Sequence, residues 1–340
     1  MEAISIIVIS HNEEKNIKDC LDSLVQLDYA TYEIVVVDCS SDNTPDIVKN
    51  YKTVRLIKCN QPGFGIQRNV GISHARYGFI AFTDADCIVP GNWLKILAGN
   101  IKKDIAVVGG NAYSPPGTSY FGKCFACLGY PAGGDLGLDA VTKVSKEGHV
   151  QHIATCNAIF RSEVLIKTNG FNEKLVWGGE DADICERITN AGWKIKYAGD
   201  SFVYHKARCS LKSFVQWIYR RGNARYHYSK NRLKLYLSLA LGITGILFLA
   251  IKPWITFIMG LIVLTGTITA ILFTSKFKYL IRRRKRIKVS LTSIILVIAP
   301  LELLRHVIML AGETKEALKN AIGKMTKRLK RGQKSDRSPG

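Results

Sequence analysis

Between residues 201 and 273 the sequence has ten basic residues and no acidic one, and its first ten residues carry no basic residue at all. The second absence removes the charged start of a secretory signal, and the opening apolar stretch stops at His11, Asn12 and Glu13. No signal peptide is expected. The nine cysteines lack regular spacing. Their one close pair, Cys124 and Cys127, has neither a second pair nor spaced histidines, so buried, reduced thiols are expected in place of a zinc or redox centre. A Gly-rich loop bearing Arg or Lys, as a nucleotidyltransferase needs for its triphosphate, is missing after Ile9.

The net charge of +21 is equally uneven, because residues 1–200 hold 20 basic against 23 acidic residues. A nucleic-acid-binding domain would carry its positive field on the folded part, which here is slightly acidic, so no nucleic-acid partner is expected. The basic blocks flank apolar runs instead and suit anionic membrane lipids. Leu233–Ile251 has 19 residues with one charge, and Trp254–Phe273 has 20 with none. Each can cross a hydrocarbon layer about 30 Å thick as a helix. Only Lys252 and Pro253 separate them, which predicts a transmembrane helical hairpin over 231–274. Its basic flanks, Arg220 to Arg232 before it and Lys276 to Lys288 after it, place both ends in the cytoplasm. The expected location is thus the membrane, multi-pass, with the catalytic part on the cytoplasmic face. A third segment, 289–311, is apolar to Leu301 and then carries Glu302, Arg305 and His306 on one helix face. It reads as an interfacial or re-entrant helix, with a third span as the alternative. A basic cytoplasmic loop, 275–288, precedes it and a basic tail, 312–340, follows.

Residues 1–230 alternate between strand and helix periodicity. Ile4–Ser10 is a continuous apolar run, and Asn12–Leu27 places Ile17, Cys20, Leu21, Leu24 and Leu27 at helical spacing. The pattern recurs as strand Glu33–Asp38 and helix Thr44–Tyr51, then strand Val54–Lys58 and helix Ile66–Arg76, then strand Phe79–Thr83. This predicts an α/β domain with a mostly parallel sheet, helices on both faces and a site beyond the carboxyl ends of the strands.

Acidic residues stand at those ends. Asp38 and Asp42 flank the turn after the second strand, where they suit either a nucleotide's donors or the turn and cap of the next helix, with Thr44 before Pro45 as its N-cap. Asp84-Ala85-Asp86 closes another strand with two carboxylates on one side, an arrangement that calls for a cation, and hard oxygens suit Mg²⁺ or Mn²⁺ bound to a diphosphate. Gly178-Gly179-Glu180-Asp181-Ala182-Asp183 opens a helix in which Asp183 and Arg187 can pair. Acidic residues there also suit the helix dipole, but the flexible glycines and Trp177 point to a base beside a sugar pocket. His205, after Ser201–Tyr204, suits a metal ligand or a core histidine.

Taken in order, these motifs resemble the family 2 glycosyltransferases, an inverting group with the GT-A fold, over residues 3 to about 230. The resemblance rests on Ser5-Ile6-Ile7-Val8-Ile9-Ser10-His11-Asn12-Glu13, on Val35-Val36-Val37-Asp38-Cys39-Ser40-Ser41-Asp42, on Gln67-Arg68-Asn69-Val70-Gly71 with Phe82-Thr83-Asp84-Ala85-Asp86, on Cys156-Asn157-Ala158-Ile159-Phe160-Arg161 and on Glu180-Asp181. Cys39 departs from it by standing where a second aspartate is common. The resemblance implies nucleotide contacts from Glu13, Asp38, Asp42, Arg68 and Asp84, and a metal on Asp86 with Asp84 and His205. It also implies Asp181 as general base beside Glu180. Gln216-Trp217-Ile218-Tyr219-Arg220-Arg221 lacks the Arg-Trp step of processive synthases, so one sugar per encounter is implied. Trp177, Arg220 and Arg221 are candidates for the acceptor or a phosphate, the arginines serving equally as membrane-flank charges. The expected function is transfer of one sugar from a UDP- or GDP-sugar to a membrane-held acceptor, polyprenyl phosphate or a lipid-linked saccharide. The alternatives are a catalytically idle membrane scaffold and a nucleotidyltransferase.

Overall fold

The first strand, β1 (Ile4–Ser10), is buried at every position, because both of its faces are covered. Ile4, Ile6 and Val8 point into one apolar core and Ile7 into a second on the opposite face, as the two-residue period of a strand requires. The structure is a computed structural model and describes residues 2–130, 132–206, 210–228, 266 and 270–335. The expected hairpin lies almost wholly outside the described residues.

After β1 come α1 (Ile17–Leu24), β2 (Tyr32–Asp38), α2 (Thr44–Lys49), β3 (Val54–Lys58), α3 (Phe64–His74), β4 (Phe79–Asp84), the two-residue β5 (Cys87–Ile88) and α4 (Trp93–Gly99). There follow β6 (Ile105–Tyr113), α5 (Tyr120–Ala126), β7 (His149–Val150), β8 (Ala158–Arg161), α6 (Ser162–Lys167), α7 (Glu180–Asn190), β9 (Lys194–His205) and α8 (Leu211–Tyr228). The sheet has nine strands in the order β3-β2-β1-β4-β8-β6-β9-β5, with β7 on β9. Pairing is parallel through β3-β2-β1-β4 and between β6 and β9, and antiparallel where β8 enters and where β5 and β7 meet β9. The parallel half is the one the strand–helix alternation predicts, and the sheet as a whole is mixed. The fold is α/β and GT-A-like.

The first helix begins five residues later than its periodicity suggests. Residues 11–16 instead tie the ends of β1 and β2 together. Asn12, at φ 59°, accepts from Ser41 N at 2.9 Å and donates its own N–H to Ser40 Oγ at 2.8 Å, while Glu13 N–H donates to Thr44 Oγ1 at 2.9 Å. Thr44 is therefore not the N-cap: Asn43 holds that position without a side-chain cap, since the Thr44 hydroxyl is engaged across the turn.

Beyond the sheet, α9 (Ser275–Ile287), a helical turn at Leu291–Ser293, a π-helical stretch Ile294–Ile298 and α10 (Ala299–Ser335) pack with α5 and α8 around a third apolar cluster. Cys124 and Cys127 are buried free thiols inside it, so they serve packing. Leu291–Gly323 is apolar and long enough to cross a bilayer, and α10 continues without a break past residue 311. Glu302 and Arg305 turn inward: Glu302 pairs with Arg305 at 2.7 Å and with Lys276 at 2.8 Å, and Arg305 donates to Tyr130 Oη at 3.3 Å. Large apolar side chains turn outward, Leu296 at 68% exposure and Ile322 at 64%.

The crossing of α8 and α10 depends on two glycines facing one another's helix. A methyl at Gly222 would overlap the Met309 carbonyl, and one at Gly312 the Tyr219 carbonyl, so only a residue without a side chain lets the backbones approach this closely. Gly222→Val should lower stability by about 1–3 kcal/mol through overpacking. Thermal unfolding of the detergent-solubilised protein checks this, and an unchanged midpoint would show that the helices do not cross there.

Candidate active site

Because β1, β2 and β4 are parallel, their carboxyl ends open at one edge of the sheet, the edge where such folds bind ligands. A cavity of about 330 Å³ lies there, and Glu13, Arg68, Asp84, Asp86, Trp177, Glu180, Asp181, His205, Arg220 and Arg221 all line it.

Arg68 is the anchor of this arrangement. Carried by α3 and only 3% exposed, it donates to Glu180 Oε1 at 2.7 Å and to Asp84 Oδ1 at 3.1 Å. Burial opposes its charge, but Asp84, Glu180 and Asp181 outweigh that and raise its pKa. A buried charge is tolerated only when it is paired and hydrogen-bonded in this way. Burial, and after it the charge of Asp181, pushes the Glu180 carboxyl up to about 7, with Arg68 opposing. Glu180 Oε2 is buried and accepts no hydrogen bond among the described residues.

The end of β4 turns through Asp84-Ala85-Asp86 into β5, whose Cys87 pairs with His205 at the end of β9. That pairing, with Ile88 opposite Tyr204, brings the two distant segments together. His205 Nε2 lies 3.5 Å from Asp86 Oδ1 and 4.0 Å from Asp84 Oδ2, and the Cys87 thiol joins Asp86 and His205 in a group of potential ligands within 4.8 Å of one another. Burial raises the Asp84 pKa, Arg68 pulls it down and Asp86 pushes it up again. Carboxylate oxygens and an imidazole nitrogen facing an open cavity fit a divalent cation of the Mg²⁺ or Mn²⁺ type.

On the opposite wall, Gly178 at φ 136° and Gly179 at φ 87° turn the chain into α7. Side-chain-bearing residues rarely adopt these angles, which is why two glycines stand there. They set Glu180 and Asp181 in the first turn, where the helix dipole favours negative charge. Asp181 Oδ2 lies 3.3 Å from His152 Nε2. Burial would raise its pKa, but His152, Arg221 and Arg68 outweigh burial and hold it below the ordinary carboxylate range. Trp177 packs edge-on against Phe64 at 5.4 Å, beside His11 at 5.7 Å and under Arg220 at 5.7 Å. Arg221 lies over Trp217 at 4.9 Å and Tyr130 at 5.2 Å, contacts that aromatic faces favour. Asp183 and Arg187 form the expected pair at 2.6 Å, away from the cavity lining.

Two predicted residues are not brought to the cavity. Asp38 is buried and accepts from Ser10 Oγ and Ser40 Oγ, both at 2.6 Å. Asp42 accepts from Thr44 N at 3.0 Å and Glu14 N at 3.2 Å. Both carboxylates are spent on the turn, the plainer of the two sequence readings. Conversely, His152 escapes sequence reasoning, since a single histidine in a loop carries no spacing signal. Tyr130 and Phe125, which form an aromatic wall with Phe214 and Trp217, are equally silent, because three of the four lie in helices whose periodicity reads as core.

The sequence model of "Glycosyl transferase family 2" matches residues 5–168, and that of the "N-terminal domain of galactosyltransferase" matches residues 138–206. Residues 5–168 of this chain are thus similar to glycosyltransferase family 2. Among curated relatives it is 29% identical over 219 residues to the glycosyltransferase AglE of Haloferax volcanii, covering 60% of this chain and 67% of that one. It is 37% identical over 109 residues to the poly(ribitol-phosphate) beta-N-acetylglucosaminyltransferase TarS of Staphylococcus aureus, covering 30% of this chain and 19% of that one. Among solved structures, the mannosyltransferase PcManGT of Pyrobaculum calidifontis, in complex with GDP-Man and Mn²⁺, superposes with a TM-score of 0.53 at 18% identity over 94% of this chain and 87% of that one. This likeness shows the shared fold.

The buried arginine gives a direct test. Arg68→Met should cost about 3–5 kcal/mol, because Glu180 loses its buried ion-pair partner and Asp84 loses its guanidinium. Urea denaturation measures it, and a loss below about 1 kcal/mol, the scale of a surface pair, would mean that the three charges are not joined in solution.

Proposed function

We propose that the protein transfers one sugar, with inversion, from a nucleoside-diphosphate sugar (UDP or GDP) to a membrane-held acceptor, either polyprenyl phosphate or a lipid-linked saccharide. The observation that carries this reading is the convergence on one cavity of Asp84, Asp86 and His205 with Glu180 and Asp181, two acidic groups from opposite ends of the domain. In this reading Asp86 and His205, with Asp84, hold Mg²⁺ or Mn²⁺, whose charge offsets that of the departing diphosphate. Glu13, Arg68 and Asp84 form the nucleotide side, while Asp38 and Asp42 act through the turn they shape. Asp181 takes the proton of the acceptor hydroxyl as that oxygen attacks the anomeric carbon from the face opposite the leaving group. Arg68 and Glu180 keep that wall in place.

The membrane part of the proposal draws on the helices around α8. Arg220 and Arg221 line the cavity next to the aromatic wall, a combination of fixed cations and apolar surface that suits a phosphate on an isoprenoid chain. The same helix crosses α10, whose outward apolar residues and neighbouring basic α9 suit a bilayer surface with anionic lipids. We assign residues 1–230 to catalysis and the remainder to membrane attachment, multi-pass through the 231–274 hairpin, with the catalytic domain on the cytoplasmic face.

Purified protein in detergent, offered UDP- and GDP-sugars with and without polyprenyl phosphate, should release nucleoside diphosphate from one donor and stop when a chelator is added. Asp86→Ala and Asp181→Ala should each lower the rate by about 10²–10⁴-fold with an unchanged unfolding midpoint. If every donor is left intact and unbound, the scaffold reading takes over.

A further inference from the structure

Among the described residues, His152 is an ionisable side chain in contact with the proposed base that the proposed reaction leaves without a task. It stands in the loop after β7 and meets Asp181 from outside α7, Nε2 to Oδ2 at 3.3 Å. Asp181 lines the cavity whereas His152 does not, so the carboxylate lies between the reaction space and the imidazole. His152 Nε2 is buried and has no hydrogen-bond partner among the described residues, while the side chain as a whole is 39% exposed against 17% for Asp181, so solvent reaches the rest of the ring. The other Asp181 oxygen, Oδ1, accepts from Ala182 N–H at 2.8 Å, so one oxygen is fixed by the helix start and the other faces the histidine.

We propose that His152 is the positioning residue and proton outlet of Asp181: the carboxylate receives the acceptor's proton and the imidazole carries it to solvent. The inference rests on Asp181 being the base of the proposed sugar transfer. In the step, the acceptor O–H bond breaks as its oxygen bonds to the anomeric carbon. The bond from that carbon to the diphosphate oxygen breaks, and the leaving group keeps the electron pair. The proton moves to Asp181 Oδ2 and on to Nε2 of neutral His152, giving imidazolium. Loss of that proton to water restores the pair, so no other reactant is needed.

The outlet solves a problem the site creates. Charged His152 is the first of the groups that hold Asp181 below the ordinary carboxylate range, so once the imidazole is neutral the carboxylate is the better base and has a neighbour that can take its proton. The groups acting on His152 are Asp181 and Glu180 from α7 and Arg221 from α8. Burial and Arg221 lower its pKa, the two carboxylates raise it, and the net direction is upward. At a pH below this raised value His152 is already charged and the outlet is full. Turnover should therefore rise as pH increases through the imidazole's own ionisation.

The test is the pH dependence of nucleoside diphosphate release by the full chain in detergent, with UDP-N-acetylglucosamine or GDP-mannose, whichever is turned over, and polyprenyl phosphate in mixed micelles. In the wild type the ascending limb should lie above the ordinary histidine range. His152→Asn should lower kcat by at least tenfold, spare KM for the donor and move that limb down into the carboxylate range. A limb that stays in place in His152→Asn, with or without a lower kcat, overturns the proposal and leaves sugar transfer standing. If neither is turned over, the rest of the UDP- and GDP-sugar panel is tried, and a wild type that turns over no donor removes the underlying reading. A second arm needs no turnover: NMR titration of labelled histidines, with His152 assigned from the signal lost in His152→Asn. Its pKa should fall in Asp181→Asn, and an unmoved value would show that the two groups are not paired.

Discussion

A guanidinium buried between two carboxylates is the constraint on which the rest of this site depends. Arg68 leaves α3, meets Asp84 at the end of β4 and Glu180 at the start of α7, and so ties together segments far apart in the chain. Neither partner would keep its place alone. Asp84 sits beside Asp86, whose like charge repels it, and Glu180 sits beside Asp181. Arg68 supplies positive charge between these two acidic pairs where they face one cavity. The close packing of α3 on β1 fixes the arginine, since a methyl at Gly71 would run into Ile7. A wall this rigid suits catalysis in which charge develops at fixed positions.

The same cavity joins the sheet to the helices that follow it. Strand ends and the start of α7 supply part of its lining and α5 and α8 another part, with Arg221 between Trp217 and Tyr130, and Tyr130 in turn within reach of Arg305 on α10. The apolar helices are therefore not an appendage hung on a finished domain. A side chain in the cavity lining shares its packing with a helix long and apolar enough to enter a bilayer. In the proposed function α8 links the cavity to the helices that would meet the membrane, which is the physical argument for an acceptor presented there.

Much of the domain was legible in the sequence because two periods alternate cleanly in it. Ile4–Ser10, Val54–Lys58 and the strand ending at Asp84 are found where the apolar runs place them. The parallel pairing follows from the helices between them. What was not legible is long-range. The antiparallel entry of β8 and the return of β9 to β5 depend on contacts between segments whose local patterns say only "strand". The helix expected from Asn12 starts late because Asn12 and Glu13 are used to join two strand ends, which outweighs their helical spacing. Among the site residues, Asp86, Glu180 and Asp181 were visible as acidic groups at element ends, and the pairing of Cys87 with His205 explains why a histidine far down the chain reaches Asp86. Asp38 and Asp42 show the limit of that logic. An aspartate at a strand end is also the best local acceptor for a turn, and here the turn holds both. His152 left no trace in sequence, since its role comes only from meeting Asp181 in space.

The central claim is that Asp84, Asp86 and His205 form a divalent-cation site that works together with a nucleoside diphosphate. Electron paramagnetic resonance of Mn²⁺ titrated into the purified chain, with UDP or GDP present, addresses it directly. The account predicts a bound Mn²⁺ signal that strengthens with the nucleotide and is lost when Asp86 and His205 are both replaced by alanine. Equal Mn²⁺ binding by the wild type and the doubly substituted protein would contradict it.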